Sequence, residues 1–139
     1  MQVLTWQISS QTFGMDLSMC REVASLPGIR KVPHSQNYLA GIANLRGEVV
    51  TVLDLRVLLG YEDHTSQSAD TIVRLRHDRH NISILADSIS DVIELAESAI
   101  DTKPAGLNER ESRFIQGIAR VGAQVVVVLS AKEILEYRQ

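Results

Sequence analysis

The chain repeats itself, and that limits its architecture more than any other feature. At an offset of 76, Gly41-Ile42-Ala43 meets Gly117-Ile118-Ala119, and Val49, Val50, Val52 and Leu53 meet Val125, Val126, Val128 and Leu129. Tyr38 meets Phe114, Asp54 meets Ser130, Arg56 meets Lys132 and Leu59 meets Leu135, with no gap from residue 38 to residue 59. At an offset of 69, Phe13, Met15, Val23 and Leu26 meet Ile82, Ile84, Val92 and Leu95. A duplication on this scale makes each half one structural unit. At about 70 residues, neither half buries a large core alone. Two small β-barrels sharing an apolar seam, to which Ile, Val and Leu of both halves contribute, is the expected solution.

Local patterns agree with an all-β chain. Leu4, Trp6 and Ile8 alternate with polar residues, and so do Phe13, Met15 and Leu17 after the polar stretch Ser9-Ser10-Gln11-Thr12. That period predicts a hairpin of half-buried strands. The β-branched runs 49–53 and 125–129 predict more deeply buried strands. Ile72–Leu75 and Ile82–Ile84 predict a second hairpin around Asp78-Arg79-His80-Asn81. Helices are expected to be short. Asp54 caps one that ends before Gly60, and Ser130-x-x-Glu133 is a capping box that opens a C-terminal helix. Pro33 and Ser35 are read as opening another short turn that stops at Gly41. Residues 62–70 and 101–108 read as linkers. The expected organisation is one domain over 1–139, with a first five-stranded SH3-like barrel at about 13–64 and a second at about 70–135. Exchange of terminal strands across the seam is compatible with it.

Composition narrows the function. The chain has 139 residues, with 14 basic against 17 acidic and a net charge of −3. That balance lacks the electrostatic footprint of a general nucleic-acid binder. The single cysteine, Cys20, forms no internal disulfide. The first residues carry no basic region ahead of an apolar run, and no stretch reaches the length of a membrane span. A cytoplasmic location without membrane insertion is the expectation. There is no phosphate-cradling glycine loop, no Gly-x-Ser-x-Gly elbow and no Cys–His arrangement, so an enzyme is not expected. His77-x-x-His80 lacks a third ligand at useful spacing and reads as a polar turn. No metal and no cofactor are expected. Arg74, Arg76 and Arg79 have no aromatic platform, so they read as a solvated or partner-facing strand rather than a nucleic-acid face. Asp87, Asp91, Glu94 and Glu97 read as a solvated acidic face.

The segment from Tyr38 to Arg56 carries Gly41-x-x-Asn44-Leu45-Arg46-Gly47 followed by Val52-Leu53-Asp54-Leu55-Arg56. It resembles the signature of the CheW-like family. Cys20-Arg21-Glu22-Val23, Asp87-Ser88-Ile89-Ser90-Asp91-Val92 and Phe114-Ile-Gln-Gly-Ile-Ala119 resemble further family motifs, in order along nearly the whole chain. Thr51 stands where the family usually has proline, Ser130 where an acidic residue is common, and Cys20 where valine is usual. The resemblance implies two SH3-like barrels. It also implies a non-enzymatic adaptor that couples chemoreceptor cytoplasmic tips to the regulatory domain of a CheA-type histidine kinase, recruited to membrane-associated receptor arrays. Alternatives are an adaptor of a type IV pilus or other non-flagellar system and, from another class, a double-barrel nucleic-acid-binding protein.

The resemblance also supplies the candidate partner-binding residues Cys20, Glu22, Gly41 and Arg46. The resemblance implies that Glu22 and Arg46 form an ion pair beside a receptor groove, and arginine's planar fork is suited to holding a carboxylate. The competing reading is a pair that only orients a loop. Gly41 lies near the receptor in the family. Yet Gly117 repeats it where no receptor is expected, which favours a backbone requirement. Cys20 either faces the same groove or is a small buried apolar residue. Kinase-contact residues are not legible.

Overall fold

The computed structural model describes residues 1–26, 28–61, 70–102 and 104–137. The predicted linker at 62–70 lies, but for Asp70, outside the described residues. The first half contains β1 (Gln2–Ile8), β2 (Gln11–Asp16), β3 (Cys20–Ser25), β4 (Leu39–Leu45), β5 (Glu48–Leu53) and α1 (Leu55–Leu58). The second contains β6 (Thr71–Leu75), β7 (Ile82–Ala86), β8 (Ser88–Glu94), β9 (Ile100–Asp101), α2 (Glu109–Phe114), β10 (Ile115–Val121), β11 (Gln124–Leu129) and α3 (Ala131–Glu136). The chain is all-β with short helices.

These strands form a six-stranded sheet, β8-β1-β2-β11-β10-β9, and a five-stranded sheet, β3-β6-β7-β5-β4. The hairpin β1–β2 therefore sits among strands of the second half, and β6–β7 among strands of the first. The residue ranges 13–64 and 70–135 follow the repeat, whereas each sheet draws on both sides of that division. The exchange is symmetric down to register. Val128 lies opposite Gly14 in a parallel pair, as Val52 lies opposite Ser83. Leu4 faces Val92 as Val73 faces Val23, and both ladders slip one residue further on.

The sheets are open, not the closed barrels expected from the sequence. The outer edge of β10 is taken by β9, and that of β4 by a bridge from Arg30 to Ile42. Among the described residues, the end strands β8 and β3 pair with no strand at the opposite end of their sheets. Each sheet instead covers a small apolar core, and five buried positions correspond between the two. Val3, Leu95, Ala119, Val126 and Val128 fill one, while Ile72, Leu26, Ala43, Val50 and Val52 fill the other. Between the sheets lies a larger shared core with Leu4, Trp6, Phe13, Met15, Leu53, Leu58, Leu75, Ile84, Phe114, Leu129 and Ile134. Each such side chain contributes about 1.5–3 kcal/mol by leaving water. This is why β1 is buried on both faces and not half-buried: Leu4 and Trp6 enter the shared core, and Val3 enters its own sheet's core.

The helices largely follow their caps. Asp54 Oδ1 accepts from the backbone N–H groups of Arg56 and Val57, and Ser130 Oγ accepts from that of Glu133. The Glu133 carboxylate faces Arg113 Nε at 3.6 Å. A full capping box stands instead at Asn108 and Glu111, opening α2. The stretch after Pro33 forms turns and no helix. The interval from Leu95 to Phe114 is seven residues longer than that from Leu26 to Tyr38, the difference between the offsets of 76 and 69, and α2 lies within it. The predicted linker at 101–108 thus leads into a helix.

Candidate functional site

Arg46 occupies the tip of the β4–β5 hairpin. Its φ is 52° and that of Gly47 is 87°, which is the type I′ turn that right-twisted strands favour. Asn44 Oδ1 accepts from the Gly47 N–H at 3.0 Å and steadies the turn. A side chain in this left-handed region costs about 1–2 kcal/mol. The matched turn in the other sheet has Gly122 at this place, with φ 62°.

The hairpin directs the Arg46 guanidinium to Glu22 on β3, where Nη2 donates to Oε1 at 2.5 Å and to Oε2 at 2.6 Å. Glu22 and Arg46, paired in the sequence reading, are therefore together. The pair is open on one side, since the Arg46 side chain is 64% exposed while that of Glu22 is 24% exposed. An ion pair this open stabilises a fold by only about 0–1 kcal/mol.

Arg74 stands directly opposite Glu22 on the neighbouring strand β6. Its side chain is 2% exposed, so it is no part of a solvated arginine stripe. Nη1 donates to Glu22 Oε2 at 3.0 Å. Nη2 donates to Asn81 Oδ1 at 2.9 Å and to Glu48 Oε1 at 3.3 Å. Arg76 is likewise engaged, its guanidinium donating to the backbone oxygens of Ser18 and Cys20. Sequence reasoning missed Arg74. Its signal was an arginine inside the apolar run Ile72-Val73-Arg74-Leu75.

The hydrogen bonds from Arg46, backed by the one from Arg74, hold the Glu22 carboxyl below its ordinary range. A lowered folded value means the stabilisation is present above the unfolded carboxylate range and is lost as pH falls through the folded value.

The other two candidates lie elsewhere. Cys20 is buried in the shared core, with its thiol 3.6 Å from the Asp16 carbonyl oxygen. Burial, with the Asp16 carboxylate, pushes that thiol up to about 12. At pH 8 a thiol reagent should therefore modify the folded protein roughly a hundredfold or more slowly than the denatured chain, because only the thiolate reacts. Equal rates in an absorbance assay would contradict this environment. Gly41 lies in β4, where a Cβ would stand 2.5 Å from the Arg30 carbonyl oxygen and 2.7 Å from Ile29 Cγ2. Gly117 meets the same crowding from Ile100 Cγ2 and from the Asp101 carbonyl oxygen at 2.7 Å. His77 Nδ1 accepts from the N–H groups of Arg79 and His80, as befits a polar turn.

Duplicated, interlocked sheets with one polar cluster at a hairpin tip define a small all-β two-sheet domain. A match of the CheW-like domain to residues 2–139 shows that the chain belongs to the CheW-like family. It is 23% identical to a chemotaxis protein CheW of Treponema pallidum over 99% of this chain and 84% of that protein. It is 24% identical to a chemotaxis protein CheW of Helicobacter pylori over 98% of this chain and 82% of that protein. The fold is similar to that of the scaffolding protein TtCheW from Thermoanaerobacter tengcongensis, with a TM-score of 0.78, 21% identity, and coverage of 93% of this chain and 88% of that one.

Proposed function

We propose that this protein is a non-enzymatic chemotaxis adaptor that couples chemoreceptor cytoplasmic tips to the regulatory domain of a CheA-type histidine kinase. Family membership supports the scaffold role, as do relatives named for chemotaxis. No helix among the described residues is long and apolar enough to cross a membrane, so attachment to an array would come through partners. The observation that carries the receptor side is the one-sided ion pair. Glu22 and Arg46 meet in one repeat only, while the matched positions hold Asp91 and Gly122. The fold accepts a glycine at that turn, so the exposed and conformationally costly Arg46 serves something other than folding. In this reading it shapes the surface that meets the receptor, whereas the buried Cys20 and the crowded Gly41 serve the fold. The kinase engages a separate surface, and simultaneous contact lets a shift at the receptor alter kinase activity.

The test measures affinities of purified wild-type and Arg46→Gly protein for receptor tip fragments and for the kinase regulatory domain. The substitution copies the other repeat and relieves the backbone, so the melting temperature should stay close to wild type. Receptor affinity should fall tenfold or more, about 1.4 kcal/mol, and kinase affinity should persist. Unchanged receptor affinity rejects the role of the pair. Wild-type protein that binds neither partner rejects the adaptor reading.

A further inference from the structure

The buried arginine behind the ion pair has no counterpart in the other repeat. Glu22 faces Arg74 across β3 and β6 at the place where Asp91 faces Thr5 across β8 and β1. Thr5 is 3% exposed and satisfies its hydroxyl with the Asp91 backbone, donating to the carbonyl oxygen at 2.9 Å and accepting from the N–H at 3.1 Å. The same slot is thus filled in the same fold without a buried charge. Sinking a guanidinium there carries a desolvation cost that apolar or neutral residues avoid, and buried ion pairs are a poor source of stability. Stability therefore does not explain Arg74.

Its contacts do. The guanidinium reaches three acceptors on three separate stretches of chain: Glu22 on β3, Glu48 at the start of β5, and Asn81 just before β7. Glu48 directly follows the Arg46-Gly47 turn. Arg74 thus grips both sides of the exposed pair, the carboxylate that Arg46 binds and the strand that carries Arg46. Among the described residues, the other group that holds the Glu22 carboxylate is the solvent-facing Arg46 guanidinium.

We propose that Arg74 is a positioning residue for the partner-binding surface, presetting Glu22 and the Arg46 turn from below so that the pair meets an incoming partner already ordered. Pre-ordering matters because association must otherwise immobilise these long side chains. The inference rests on the receptor-facing reading of the Glu22–Arg46 pair.

Arg74→Met removes the fork and keeps an unbranched apolar stem for the buried slot. The folded variant should lose receptor-tip affinity tenfold or more while its affinity for the kinase regulatory domain is unchanged. The carboxyl carbon of Glu22, followed by NMR, should titrate at higher pH than in wild type. Arg74→Lys keeps the charge but cannot span three acceptors, so it should bind receptor with intermediate affinity. Should Arg74→Met fail to fold, Glu48→Ala decides, because Glu48 is half exposed and its loss loosens Arg74 without exposing the core. Receptor affinity should then drop threefold or more. An Arg74→Met or Glu48→Ala protein that binds receptor as wild type does, whatever its melting temperature, overturns the proposal. Receptor binding lost in Arg46→Gly but kept in Arg74→Met overturns this role alone. A wild-type chain with no receptor affinity overturns the functional reading beneath it.

Discussion

Residues 1–65 expressed alone should fail to fold, giving an aggregating or disordered fragment. The half contains β1 to β5, but its own five-stranded sheet lacks β6 and β7, which stand between β3 and β5. Its hairpin β1–β2 would lose β8 on one side and β11 on the other. Of the shared core it would keep Trp6, Phe13, Met15 and Leu58 but lose Leu75, Ile84, Phe114 and Leu129. A hairpin without flanking strands is marginal in water, and exposed apolar edges invite aggregation. Circular dichroism and sedimentation should report no cooperative unfolding transition and no clean monomer. Adding residues 66–139 should restore native-like signal, since each half carries the strands missing from the other. A soluble monomeric half that unfolds cooperatively would contradict the exchange.

Gly41→Ala and Gly117→Ala should each destabilise the protein by about 1–3 kcal/mol, the cost of forcing atoms into a filled space. In both cases the new methyl meets backbone, Arg30 in one sheet and Asp101 in the other. Backbone cannot rotate away as a side chain can. Gly41 also has φ of 155°, which a residue with a Cβ tolerates poorly, so it should be the worse affected. Thermal melts should fall by roughly 4–12 °C. This pairing also separates two meanings of Gly41. Loss of stability in both variants, larger at Gly41, marks a requirement of the fold, repeated with it. A Gly41→Ala protein that melts normally but no longer binds receptor would make the glycine a contact residue.

Much of the fold was legible because duplication writes the same core twice. The apolar positions of the two small cores correspond at the offsets read from the sequence. The seven extra residues between the matched segments coincide with α2, a helix that was not expected from the sequence. Exchange of terminal strands was compatible with the sequence, but which hairpins exchange was not legible. Alternation along a strand reports which faces are apolar, and it says nothing of which strand lies alongside. Openness of the sheets escaped for a related reason, since it depends on Arg30 and β9 reaching the outer edges first. The Glu22–Arg46 pair was legible only through family resemblance, being 24 residues apart. Arg74 was within reach. An arginine between Val73 and Leu75, matched by Thr5 between Leu4 and Trp6, is a polar residue at the centre of a buried run, and such a residue needs partners.

The interlocking has a cost during synthesis. β2 finds its parallel partner when Thr12 meets Val126, so the first hairpin waits for nearly the entire chain. At about 5–20 residues per second, the ribosome takes roughly 5–20 s to supply that strand. For all of that time the edge of β2 and its apolar side chains are available to other nascent chains. Phe13 and Met15 are wholly buried once the partner arrives, and until then they are sites for a chaperone. Production of this small protein should therefore respond to translation speed and chaperone supply more than its length suggests.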